Sequence, residues 1–264
     1  SKVPITGYSQ RDTDMAEVDP KPSNSPLAFW PVRRLTEFLV IVVGVVLSFY
    51  MEDLRQDLEK GEYKDQLIDE LIVASNEDLR QIQRIQENLN ECLVAAEILI
   101  KDLLSKEREL SDEKVADSYL TISQKMYTSF FQQSGTYQQL IESGSLELIE
   151  STNFRKVLLD TYTPLLHRNQ ALSRTLDDYY VVLTSSMGPY VIAVPVEEKG
   201  QGFVYSDKRI SEFTVDQELY DSATVLSHLL EAKNLISNYL DLLSVFSNSY
   251  EQLIIYAEQE NEAA

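Results

Sequence analysis

Two histidines, His167 and His228, and one cysteine, Cys92, are the whole stock of imidazole and thiol side chains in this 264-residue chain. His228 opens the run HLLE, which places its imidazole and the Glu231 carboxylate on one face of a helix. Neither histidine stands in a Glu-x-x-His arrangement, so the ligand set of a ferritin-like di-iron bundle is missing. The pair reads as a surface contact. A single cysteine forms neither an intrachain disulfide nor a Cys-based zinc site. Cys92 has apolar neighbours at helical spacing and reads as a small core residue. DDYY, Asp177 to Tyr180, is the one polar–aromatic cluster that merits a search for a pocket; the simpler reading is a bundle face with two tyrosine hydroxyls reaching water. No glycine-rich phosphate loop, nucleophile elbow or HExxH occurs. Nothing assembles an acid, a base and an electrophile. The expectation is a protein that is not an enzyme, with no catalytic, cofactor-binding or metal-ligating residues and no evident small-molecule substrate.

The formal net charge of −20 argues against nucleic acid, whose phosphates are met by Lys and Arg. Residues 1–50 carry five bases and five acids, so the excess negative charge all lies after residue 50. Such a surface stays soluble and avoids anionic headgroups, which suits a domain standing off a membrane.

A membrane enters through TEFLVIVVGVVLSFYMED, Thr36 to Asp53. Phe38 to Met51 is a run of 14 uncharged residues, ten of them Phe, Leu, Ile or Val. On length alone it is short for a span, but Arg34 and Glu52 lie 18 positions apart, about 27 Å along a helix. That nearly matches a hydrocarbon core of about 30 Å, and Arg33 and Arg34 can snorkel across the difference. Trp30 and Tyr50 sit where interfacial aromatics belong, and Gly44 offers a close-approach point in the middle. The long polar lead and the lack of a small-x-small site disfavour a cleaved signal, and 14 residues exceeds a usual strand. The reading is an uncleaved transmembrane anchor over 35–51, with no histidine to serve as a haem or chlorophyll ligand. Arg33 and Arg34 at its N-terminal end, and a Ser1 start of the kind an aminopeptidase leaves, place the N-terminus in the cytoplasm. The expected address is a bacterial inner membrane, with the remainder of the chain in the periplasm.

Three domains follow: a Pro-rich extended tail over 1–34, the span over 35–51, and an acidic helical bundle over 52–264. The tail holds five of the eight prolines, and order in it would be expected to come from a partner protein. Beyond the span, Ile68, Ile72, Leu79, Ile82, Leu89, Leu93, Ala96, Ile100 and Leu103 step by threes, fours and sevens. This predicts one amphipathic helix from Glu52 to about Ser105, continuous with the span and packed within its own domain. A second helix is expected over Asp112 to Gln133, with Val115, Tyr119, Ile122, Met126 and Phe130 inward. A short helix capped by Thr136 and ended by Gly144 should follow. A third long helix, capped by Ser151 or Asn153, should run from about Thr152 to Ser186, with Pro164 kinking or breaking it. Gly188 to Ile210 reads as a small hairpin or irregular insertion, with Pro195 confining its first strand to an edge. The last helix, Asp216 to Glu260, shows an inward face of Leu219, Leu226, Leu229, Ala232, Ile236, Tyr239, Leu243, Phe246, Leu253 and Tyr256. The fold class expected is all-α.

The anchor, the acidic helix after it, and the segment GTYQQLIESGSLELIESTNFRKVLLDTY together resemble a family of uncharacterised bacterial single-pass membrane proteins. Its signature is matched here by Thr136, Tyr137, Leu140, Ser143, Gly144, Leu146, Leu148, Ile149, Asn153, Arg155, Leu158 and Tyr162. The resemblance covers residues 35–165. The sequence departs from the pattern in SFYMEDLRQ after the anchor and in the longer lead. The resemblance implies an address and a helical fold and no reaction, and the motif residues have a plain role in packing a turn between helices. Two roles fit. The first is a non-enzymatic accessory subunit bracing a larger membrane complex, an energy-transducing one (respiratory or photosynthetic) among the candidates, with other subunits and the lipid bilayer as partners. The alternative is an extracytoplasmic helical sensor or ligand-binding module that signals through a partner.

Overall fold

The computed structural model describes residues 30–197 and 208–263, and side chains over 34–196 and 210–262. The Pro-rich tail up to residue 29, and the side chains of Trp30 and Arg33, lie outside the described residues. Two compact units are present, one up to Gln56 and the other from Asp57 onwards.

Helix α1 runs from Trp30 to Leu104, 75 residues. It begins inside what reads as the lead, with Pro31 in its first turn, where a missing N–H costs nothing. In the first unit every side chain from Arg34 to Gln56 is exposed. Here the helix is supported along its own length: Ser48 Oγ donates to the Gly44 carbonyl at 2.8 Å, and Arg55 donates to Glu52 at 2.7 and 3.1 Å.

The second unit is a helical bundle. Its core takes Ile68, Ile82, Leu89 and Ala96 from α1, and Val115 and Ile122 from α2 (Asp112–Lys125). Helix α3 (Gly135–Glu142) leads through a 3₁₀ turn, Ser145–Leu148, to α4 (Thr152–Asp160). A π-helical turn, Thr161–Leu165, joins α4 to α5 (Leu166–Met187). After a hairpin come the single turn α6 (Gln217–Tyr220) and α7 (Ala223–Ala263), which buries Leu229, Ile236, Leu243, Phe246, Tyr250 and Leu253. The all-α class, the long first helix leading into a bundle, and the small two-stranded insertion are as the sequence implies.

Strands β1 (Val191–Glu197) and β2 (Lys208–Val215) pair antiparallel from Val191↔Val215 to Glu197↔Lys208, so the hairpin extends past Ile210. The register shifts between Val194 and Pro195, where the ring denies the ladder a donor, and Ser211 Oγ donates to the Val194 carbonyl.

Three boundaries differ from the sequence reading. Helix α2 stops at Lys125, eight residues short, because the backbone of 130–133 takes its partners from side chains of other elements. Thr136 lies inside α3, whose N-cap position is Ser134, with no side-chain cap bond. The last helix is broken at Asp221–Ser222: Asp216 caps α6 through the Leu219 N–H, and Ser222 Oγ accepts from the Val225 N–H to start α7. Leu219, expected inward, is accordingly 44% exposed. Pro164 marks the interruption that the sequence implies: it lies in the π turn that separates α4 from α5. Ser151, not Asn153, caps α4, accepting from the Phe154 N–H at 3.2 Å. Gly144 does end the turn after α3, at φ +75°.

Candidate functional site

Phe38 to Met51 forms a continuous apolar surface. Its large side chains are between 41% and 70% exposed. Among the described residues it makes one helix long and apolar enough to cross a membrane. Phe38 and Tyr50 stand outward, and a Cβ built on Gly44 would meet nothing within 4 Å, so the close-approach point is open. Arg34 is exposed at the N-terminal edge. Beyond the C-terminal edge, Arg55 and Gln56 hold the Glu52 carboxyl down at about 2. Uncovered side chains of this size, together on one helix, have no aqueous explanation as a core.

The second unit contains a buried polar centre that the sequence did not single out. Asp78, on α1, is fully buried. Its carboxyl accepts from the Tyr250 hydroxyl at 2.6 Å and from the Gln133 N–H at 3.1 Å. Burial pushes its pKa up, against the pull of those two bonds, and neighbouring Glu77 pushes the same way. One turn on, Gln81 accepts from the Phe131 N–H at 3.0 Å, and the Tyr239 hydroxyl accepts from the Phe130 N–H at 2.9 Å. Asn169 closes the ring, donating to the Phe130 carbonyl at 2.8 Å and accepting from Tyr239 at 2.9 Å. The segment between α2 and α3 is thus an extended strap whose backbone is paired by side chains of α1, α5 and α7. Burial pushes the Tyr162 and Tyr250 hydroxyls well above the usual tyrosine range, and Tyr239 to about 12.

The motif residues form a wall beside this centre. Tyr137 stacks on Tyr162, with ring centroids 4.6 Å apart and planes at 11°, and Leu140 is fully buried. Gly144 supplies the left-handed turn. Asn153 is exposed on α4 and Arg155 is half-buried, so neither joins the wall. Within DDYY, Asp177 accepts from Ser129 Oγ at 3.1 Å, and the Tyr179 hydroxyl donates to the His228 carbonyl at 3.0 Å, beside His228 Nδ1 at 3.1 Å. DDYY and HLLE therefore meet as a tie between α5 and α7, and His228 and Glu231 do not act as a pair. Cys92 is buried with Sγ 3.8 Å from the Thr121 carbonyl, and burial pushes its thiol up to about 12. Among the described residues no group of three His, Cys, Asp or Glu side chains could hold a metal ion.

Two further polar ties hold the bundle ends. Glu260 accepts from the Glu150 and Ser151 N–H groups at 2.6 and 3.0 Å, with Lys64 Nζ 3.7 Å away. Asp102 accepts from the Glu109 and Leu110 N–H groups, each at 2.9 Å, while the Arg108 guanidinium lies 4.8 Å over the Tyr220 ring. The surface grooves are open. One of about 360 Å³ between α1 and α2 is lined by Val94, Ala95, Ile98, Ser118 and Thr121. Another, about 550 Å³ along α1, is lined by Glu77, Arg80, Arg84 and Gln133. Comparison with protein-family models, with curated proteins and with solved structures finds no match to this chain.

Proposed function

We propose that this chain is a non-enzymatic accessory subunit that anchors and braces a larger membrane complex. The observation that carries the reading is the uncovered apolar face from Phe38 to Met51, with Gly44 open near its middle. A helix so placed partitions into lipid, and a small residue at its centre lets a neighbouring helix approach closely. The charge-free run is short for a bilayer core, and lateral packing against other spans is one way to relieve such a mismatch. Buried Asp78, Tyr239 and Asn169 bond within the bundle and tie its elements together, which suits a brace. The reading includes a bacterial inner membrane, an N-terminus in the cytoplasm, a periplasmic helical unit, and membership of the uncharacterised single-pass family whose motif the chain resembles. Energy-transducing complexes are the hosts to search first.

The test is migration of the native protein from membranes solubilised in gentle detergent. Co-migration with defined partners at fixed stoichiometry, lost when Gly44 is replaced by Ile, supports the proposal. Migration as a lone chain overturns it. The groove between α1 and α2 favours a second reading, a ligand-binding sensor module; a metabolite that raises the melting temperature of the protein, and fails to do so after Ala95→Trp, would establish that reading instead.

A further inference from the structure

The strap from Met126 to Ser134 leaves the helical path although Met126 and Phe130 both reach the core at helical spacing. Two of its N–H groups, those of Phe130 and Phe131, depend on the uncharged acceptors Tyr239 and Gln81. The third, Gln133, depends on Asp78, which is fully buried. Every group facing that carboxyl is uncharged or negative. Glu77 lies beside it on α1, Tyr250 faces it from α7, Tyr162 from the π turn, and Gln133 from the strap. No Lys or Arg among the described residues lies within ion-pair distance. In the same cluster the buried Tyr162 hydroxyl lies beside Ser75 and Tyr250. A buried carboxyl with no cation beside it and acidic Glu77 next to it favours its protonated form.

We propose that the strap is a proton-held latch, in which Asp78 carries a proton while the bundle is closed and releases the strap on losing it. The protonated carboxyl accepts from the Gln133 N–H and the Tyr250 hydroxyl through one oxygen. The other oxygen carries the proton. Deprotonation places an anion beside Glu77 in a site without counter-charge, and the least costly relief is to open the strap and admit water. The sign follows from proton linkage. The closed form binds a proton that the open form gives up, so closure is favoured in acid and weakens as pH rises through the folded pKa, which burial has raised. The latch releases on the alkaline side, presenting Phe131, already 75% exposed, together with the rest of the strap.

The experiment is hydrogen exchange at the Phe130, Phe131 and Gln133 amides of the full chain in lipid nanodiscs, corrected for intrinsic rates, across a pH series that starts on the acid side. Protection in the native protein should fall as pH rises, by at most about tenfold per unit, and level off once the closed form has also lost its proton. Asp78→Asn, which keeps one acceptor and one donor, should hold the strap closed at every pH. Asp78→Ala should leave it loose at every pH. If Asp78→Ala does not fold, the infrared spectrum decides: a protonated-carboxyl carbonyl band that persists above the pH at which the surface carboxylates ionise, absent in Asp78→Asn, is expected. Protection that is independent of pH in the native protein, an Asp78→Asn strap as loose as that of Asp78→Ala, or absence of the band would each overturn the latch.

Discussion

The Tyr239 hydroxyl accepts from the Phe130 N–H and donates to Asn169 Oδ1, both at 2.9 Å, in a fully buried setting. Tyr239→Phe keeps the ring and removes both bonds. It leaves an amide donor and a carboxamide oxygen buried without partners, which costs about 1–3 kcal/mol for the amide alone. Urea denaturation of the native and variant chains should show a lower midpoint with an unchanged slope. The two glycines Gly61 and Gly144 should respond to alanine with opposite signs. Gly144 holds φ +75°, where a Cβ is strained, so Gly144→Ala should destabilise by about 1–2 kcal/mol. Gly61 lies within α1 with nothing within 4 Å of an added methyl, so Gly61→Ala should stabilise by about 0.5–1 kcal/mol. The same denaturation series reads both. Gly144 was legible from its sequence because a turn between two helices needs such a residue. Asp78 was not. It is one of 43 acids, and what distinguishes it is Tyr250, 172 residues further along the chain.

Among the elements, α1 and α7 were legible because their buried residues keep helical spacing over many turns, with steps of sevens and threes: Ile82, Leu89 and Ala96 in one, Leu229, Ile236, Leu243 and Phe246 in the other. The far end of α2 was not, since Met126 and Phe130 satisfy the same spacing whether the chain between them is helix or strap. The deciding acceptors, Tyr239, Gln81 and Asp78, come from elements distant in sequence, and local periodicity carries no trace of them. The break before α7 was missed for a related reason. Asp216 and Ser222 are cap residues at both a start and a restart, and no Gly or Pro marks the gap. The apolar segment of α1 raises its own expectation. A carboxylate at its midpoint costs about 2.5–3.5 kcal/mol on an insertion scale, against about −0.3 to −0.6 for each of its Leu, Ile, Val and Phe residues. Val43→Asp should therefore shift a measurable share of the chain from the membrane pellet to the carbonate-extracted supernatant. Val43→Leu should not.

On the scale of the molecule, the division at Gln56 and Asp57 separates two chemistries that coexist in one chain. Up to Gln56 the described surface is dominated by exposed Phe, Leu, Ile and Val, while nearly all of the net −20 charge falls on the unit that follows. That second unit has its own buried core and its own polar ties, Glu260 with Ser151 and Asp102 with Leu110 among them, so its stability does not draw on the apolar segment. A fragment comprising Asp57–Ala264 should accordingly be water-soluble and fold with the helical content of the bundle. Its acidity should keep it off anionic lipid through like-charge repulsion, an effect that weakens as salt shortens the screening length below about 10 Å. The full chain should float with vesicles of either zwitterionic or anionic lipid, and the fragment should stay at the bottom of the gradient with both. If the fragment floats with zwitterionic vesicles, the bundle itself has a lipid-binding face and the apolar helix is not the sole anchor. If instead the fragment aggregates, surfaces now exposed on it, such as Phe131 and Val73, are covered in the native protein by something other than lipid.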